Sequence, residues 1–206
     1  MLLRVNKPIL GLGHPRTGTG FTSKLLNSWG LNVGHETMKK HGIVAWQLIN
    51  PLGPWPYITE EMVPQYYFNF KHIIYNVRDP KTSIPSIVYT EDTKAPSVRY
   101  RRQIGVGFGL NKVENAIKSI LYYDYMVGFI KPDFTYRIED QAEDLYDFLN
   151  NTPLPVKYNN EFFNTKVNSR NHNNLDSLKE DLNNVDRYYK IKLNEYCDKY
   201  QYDKLF

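Results

Sequence analysis

The chain has 206 residues, 26 Lys and Arg against 22 Asp and Glu, and a formal charge of +4, so it suits a single domain over residues 1–206 and lacks the strong positive excess of a nucleic-acid binder. Its one cysteine, Cys197, excludes an intrachain disulfide and fits a reducing, cytoplasmic setting. No run reaches the roughly 18 apolar residues needed to span a membrane, so no membrane partner is expected.

In chain order, Pro8–Gly13 (PILGLG) reads as a short buried strand entering a glycine-rich loop. The opening residues end in that turn, not in a cleavage site, so no signal peptide is expected. Thr19–Trp29 reads as a helix with Phe21, Leu25, Leu26 and Trp29 on one face. Pro51–Pro64 contains four prolines and reads as irregular. His72–Val77 (HIIYNV) is nearly continuous in apolar character, as in a strand covered on both faces. Val113, Ala116, Ile117, Ile120 and Leu121 mark an amphipathic helix of about 18 residues. Phe134–Ile138 (FTYRI) is a third strand, and Asp140 is placed to cap a helix running to about Leu149. Residues 150–174 are Asn-rich and aperiodic, a long loop, before two C-terminal helices; Tyr189, Leu193, Tyr196 and Tyr200 stripe the last, as core. Strands alternating with helices predict an α/β fold, a central parallel sheet flanked by helices.

The strongest local signal is Gly13-His14-Pro15-Arg16-Thr17-Gly18-Thr19-Gly20, between a strand and a helix. Such a loop aims backbone N–H groups at an anion, and the helix N-terminus adds its positive end. Gly13 and Gly18 have the Walker A spacing, but Thr19 stands where that motif has lysine, and the cation is Arg16, inside the loop. The run Gly-x-Pro-Arg-Thr-Gly-Thr resembles the 5′-phosphosulfate-binding loop of sulfotransferases that use 3′-phosphoadenosine-5′-phosphosulfate (PAPS). The resemblance implies a P-loop-type fold, PAPS as donor and the desulfated PAP as product. It also implies donor contacts from Pro15, Arg16, Thr17, Gly18, Thr19, Gly20 and Phe21. Gly20 departs from the family's usual Ser or Thr, which leaves Thr22 as the alternative hydroxyl.

A second anion motif follows the second strand, Val77-Arg78-Asp79-Pro80, with Ser86 eight residues after Arg78. An arginine at the C-terminal end of such a strand stands where open α/β sheets bind ligands. The pair resembles the family's 3′-phosphate signature. Asp79-Pro80 also reads as a helix start, although Pro85 moves the expected first turn nearer to Ser83.

Gly34-His35-Glu36 resembles a stretch of the shorter family members in which a short strand brings acidic or imidazole groups beside the donor. Glu36 is the first choice for general base and His35 the second; with Arg16 they form the candidate catalytic set. The carboxylate is expected beside Arg16. On an extended strand the two side chains point oppositely, so His35 is expected to turn away or to orient Glu36. His14 and His41 read as ordinary polar residues. Lys166-Val167-Asn168-Ser169-Arg170 resembles the family's covering loop, which implies donor contacts from Arg170 and Lys166. Arg137-Ile138-Glu139-Asp140 reads as structural.

The resemblance thus implies in-line transfer of a sulfuryl group from PAPS to a hydroxyl or amine, on a small-molecule, carbohydrate or other hydroxyl-bearing acceptor, without a metal and without nucleic acid. The alternatives are a P-loop nucleotide kinase, against which the missing Walker lysine argues, and a non-catalytic nucleotide-binding module, which Gly20 keeps open. Acceptor choice falls to Lys39–Tyr67 and Thr90–Gly109, where Trp46, Trp55 and Tyr57 read either as platforms for a flat acceptor or as core.

Overall fold

The computed structural model describes residues 5–49, 68–91, 111–160, 162 and 175–206. The chain divides into two compact units: Met1–Gly13, Gly18–Val77 and Met126–Ser169 form one, and His14–Thr17, Arg78–Tyr125 and Arg170–Phe206 form the other.

The first unit is a sheet. Among the described residues its five strands are β1 (Val5–Leu12), β2 (Val33–His35), β3 (Gly42–Val44), β4 (Phe68–Val77) and β5 (Phe134–Arg137), in the order β2-β3-β1-β4-β5. The four pairings between these strands are parallel, as the alternation of strands and helices predicts. Helices α1 (Thr19–Ser28) and α4 (Ala142–Asn150) belong to this unit. Leu25, Leu26 and Trp29 of the α1 segment and Leu145 and Leu149 of α4 share one core with Ile9, Val44 and Ile74. Trp29 is fully buried there; truncating such a side chain typically costs about 3–5 kcal/mol.

β1 and β4 begin earlier than their apolar runs suggest, at Val5 and Phe68 in place of Pro8 and His72. The reason lies in the register. Val5 to Lys7 pair with Phe68 to Phe70, whereas β3 reaches β1 only from Ile9 onward. These first residues bond on one side and are at best half-buried, so apolar Val5, Phe68 and Phe70 are interrupted by Asn6, Lys7, Asn69 and Lys71 and the apolar run starts only later. Pro8, which has no amide hydrogen, is the gap in that register. β5 ends one residue before Ile138, although the Ile138 amide still donates to the Val77 carbonyl. β3 was not apparent in sequence: Gly42-Ile43-Val44 is fully buried but too short to show a period.

The second unit is helical among its described residues. α2 is Pro80–Glu91, and α3, Lys112–Ile130, starts here and runs on into the sheet unit. A 3₁₀ turn at Leu175–Leu178, α5 (Lys179–Asn183) and α6 (Arg187–Tyr200) complete it. Ile84, Ile87, Val113, Ile117, Leu182, Leu193 and Cys197 form its core, and Tyr189 and Tyr200 pack against it as expected of the tyrosine stripe. Burial pushes the Cys197 thiol up to about 11.

α2 starts at Pro80, not near Ser83. Asp79 Oδ1 accepts from the Lys81 amide at 2.8 Å, and proline at the first helical position forfeits nothing. Pro85 then removes a single intrahelical bond, while Ile84 and Ile87 stay fully buried. Asp140 does not cap α4 either. The cap residue is Gln141, and the Asp140 carboxylate takes Arg137 bidentately, Nε to Oδ1 at 2.9 Å and Nη2 to Oδ2 at 2.5 Å.

Candidate functional site

The loop residues His14–Thr17 are built as a tight turn. Both the amide and the hydroxyl of Thr17 donate to the His14 carbonyl, at 3.0 and 2.7 Å. His14, read from sequence as ordinary, is 3% exposed, with its ring edge-on to Tyr123. Its Nδ1 lies 2.7 Å from the Pro15 carbonyl, which can only accept, so Nδ1 carries the hydrogen. Nε2 meets Ser119 Oγ at 3.0 Å. His14 is therefore a pin beneath the loop.

Arg16 adopts a left-handed backbone, φ 75°. For a side chain with Cβ that conformation costs on the order of 1–3 kcal/mol and persists only where the surroundings enforce it. Here they do. Arg16 Nε donates to Ser86 Oγ at 3.1 Å, across 70 residues of sequence. The Arg16 carbonyl accepts from Arg78 Nη1 at 3.1 Å, and Arg78 Nε donates to Thr82 Oγ1 at 3.0 Å. Two guanidinium groups and a buried serine, the residues that the two anion motifs single out, thus form one hydrogen-bonded set. Such a set favours a phosphate or sulfate through charge-assisted bonds. Thr82 is a member that motif reading missed; its signal was the spacing of one helical turn from Arg78. Ser86 is fully buried and serves Arg16 as a prop in this state.

In the sheet unit, Gly18 begins α1 with φ 101°, a left-handed backbone that favours glycine. α1 has no acidic residue in its first turn and no side-chain cap, which leaves its positive end suited to an external anion. Thr22, the alternative hydroxyl to Gly20, faces the protein interior in this structure. It is fully buried, donates to the Gly18 carbonyl at 3.1 Å and meets Tyr136 Oη at 2.6 Å. With its own hydrogen on Gly18, Thr22 accepts from Tyr136, whose phenol burial holds well above its usual range. Phe21 packs on Phe162, ring centres 5.5 Å apart, within the helix's apolar face.

Glu36 directly follows β2, at the C-terminal edge of the parallel sheet. Its amide donates to the Val44 carbonyl at 2.9 Å, and its backbone is left-handed, φ 59°. Strict alternation would separate His35 and Glu36. The left-handed step turns the chain instead and brings His35 Nε2 to 3.9 Å from Glu36 Oε1, so His35 does not turn away. His35 Nε2 also meets Thr19 Oγ1, in the first turn of α1, at 3.1 Å. Trp46 Nε1 donates to Glu36 Oε1 at 2.8 Å. Trp46 is 6% exposed, which rules out the stacking platform considered from sequence. His41 Nδ1 accepts from the Asn32 amide at 2.7 Å, a structural role. Lys166, Arg170, Trp55 and Tyr57 lie outside the described residues.

No protein-family model and no curated protein matches the chain. Among solved structures it is similar to mouse sulfotransferase SULT7A1 complexed with PAP, at 12% identity over 94% of this chain and 83% of that one, with a TM-score of 0.43. So remote a likeness decides neither fold nor function, which rest on this chain's own residues.

Proposed function

We propose that the chain, acting as one cytoplasmic domain over residues 1–206, transfers a sulfuryl group from PAPS to a hydroxyl or amine acceptor. The observation that carries the reading is the hydrogen-bonded set of Arg16, Arg78 and Ser86. Arginines stay charged at any working pH and grip phosphate and sulfate oxygens with several donors. In this reading Arg78 takes the 3′-phosphate of the donor. The Ser86 contact to that phosphate, implied by the resemblance, requires Arg16 Nε to exchange Ser86 for a donor oxygen. Arg16 and the amides of Thr17, Gly18 and Thr19 hold the 5′-phosphosulfate, and α1 adds its positive end.

The acceptor proton goes to Glu36 as the acceptor oxygen or nitrogen attacks sulfur. A new bond to sulfur forms while the bond from sulfur to the 5′-phosphate oxygen breaks, and PAP departs with the charge of the broken bond. Arg16 offsets that charge as it develops. Lys166 and Arg170 are the remaining proposed donor contacts, and a small-molecule or carbohydrate hydroxyl is the proposed acceptor class. The absence of a lysine after Gly18 disfavours a kinase that would use ATP and magnesium.

Labelled PAPS incubated with the chain and a panel of phenols, monosaccharides and primary alcohols tests the reading. Transfer of label to any acceptor, with PAP released in equal amount, is expected. Phosphate transfer from ATP with none from PAPS would transfer the assignment to the kinase.

A further inference from the structure

The carboxylate of Glu36 is held more tightly than a glutamate at a strand end needs to be. Its backbone is bonded to the neighbouring strand through the Val44 carbonyl and turned by a left-handed φ of 59°. Two residues beyond that same Val44, Trp46 enters the 3₁₀ turn Trp46–Ile49 and sends its indole N–H back to Glu36 Oε1 at 2.8 Å. Because β2 and β3 are parallel neighbours, paired His35 to Val44, the two residues leave the same edge of the sheet side by side. The indole is 6% exposed, whereas the Glu36 side chain is 41% exposed, so the donor is fixed and the acceptor stands at the surface.

We infer that Trp46 is a positioning residue for sulfuryl transfer: its indole N–H occupies Oε1 and aims Oε2 of Glu36 at the acceptor proton. The inference rests on the sulfuryl-transfer reading and deepens it. Oε1 is taken by the Trp46 indole at 2.8 Å, with the His35 ring nitrogen further off at 3.9 Å, which assigns the two carboxylate oxygens different tasks. A free glutamate samples several rotamers, and only some place an oxygen where a proton can be taken. A fixed indole selects among them in advance, and misplacement of a reacting group by about 1 Å can cost 10²-fold in rate. His35, held by Thr19 Oγ1 at 3.1 Å, stands 3.9 Å from that same Oε1.

The test is a double-mutant cycle on the full chain, Trp46→Phe and Glu36→Gln, read by kcat and by KM for labelled PAPS. Phenylalanine keeps most of the buried ring and removes only the donor. Trp46→Phe is expected to lower kcat roughly 10- to 100-fold with KM for PAPS within about threefold. In the Glu36→Gln background it should lower kcat no further, because the group it positions is gone. A folded Trp46→Phe with kcat within about twofold of the wild type, or losses that multiply in the double variant, overturns the inference. A second measurement does not depend on turnover or on the folding of Trp46→Phe. The indole ¹⁵N–H resonance of Trp46, followed in the wild type and in Glu36→Ala, should shift and lose protection from hydrogen exchange when the carboxylate is removed. An unchanged resonance overturns the inference. If the wild type transfers no label from PAPS, the sulfuryl-transfer reading fails, and the indole measurement alone decides whether Trp46 holds Glu36.

Discussion

Arg16 and Glu36 both sit in left-handed backbone, yet they are held by different means. Arg16 is tied twice, at its side chain by Ser86 and at its carbonyl by Arg78, and the groups around it are hydroxyls, a carbonyl and a second guanidinium. Glu36 is held by an indole N–H and neighboured by an imidazole, with 41% of its side chain exposed. The first set carries permanent charge, as the proposed anion site requires. The second carries a group able to accept a proton and stands open to an acceptor. On the proposed function, the difference places affinity for the donor and rate of transfer in separate residues, so substitutions should separate them.

The largest expected effect is on rate. Glu36→Gln keeps the shape and removes the base, and loss of a general base typically costs about 10²–10⁴-fold. Turnover of labelled PAPS should fall by that much while PAP affinity, measured by calorimetry, stays within a few-fold. If Glu36→Gln keeps its activity and His35→Ala is dead, the two roles are exchanged.

Next comes affinity. A charge-assisted hydrogen bond contributes on the order of 1.5–3 kcal/mol, so Arg78→Ala should weaken PAP binding roughly 10- to 150-fold and leave ADP nearly unaffected. Equal losses for the two nucleotides would mean that Arg78 acts by holding the Arg16 carbonyl and not by reading the 3′-phosphate.

A smaller effect separates support from contact within α1. Thr22→Val leaves the buried Tyr136 hydroxyl without its acceptor, a loss of about 1–3 kcal/mol in stability. For a chain of this size that lowers Tm by roughly 2–12 °C. PAP affinity should not change; a matching loss of PAP binding would restore Thr22 to the donor site. The smallest effect concerns Cys197. With its thiol fully buried and pushed up to about 11, it should resist alkylation at pH 8 until the helical unit is unfolded by urea. Rapid labelling of the native chain would show that the helical core opens readily.

The parallel sheet was legible because apolar runs mark the buried halves of β1 and β4, and the residues of the proposed anion site were singled out by fixed spacings around Arg16, Arg78 and Ser86. The strand beginnings were not, since residues bonded on one side only mix apolar Val5, Phe68 and Phe70 with Asn6, Lys7, Asn69 and Lys71 and form no continuous apolar run. Asp140 stood where a cap would, but it pairs instead with Arg137 three residues earlier, a local alternative that cap spacing alone does not weigh. The tryptophan on Glu36 was invisible for a different reason. Residues 36 and 46 become neighbours through β3, and β3 is three residues long. The proximity of His35 to Glu36 depended on a positive φ at a glutamate, which no propensity anticipates.

The central claim is that the arginine set serves a nucleotide carrying a 3′-phosphate. Titration calorimetry of the wild-type chain with PAP and with ADP, without magnesium and at one salt concentration, tests it most directly. The account predicts that PAP binds tighter by roughly 10- to 150-fold, the contribution of one charge-assisted contact to the 3′-phosphate. Equal affinities, or a preference for ADP, would contradict it.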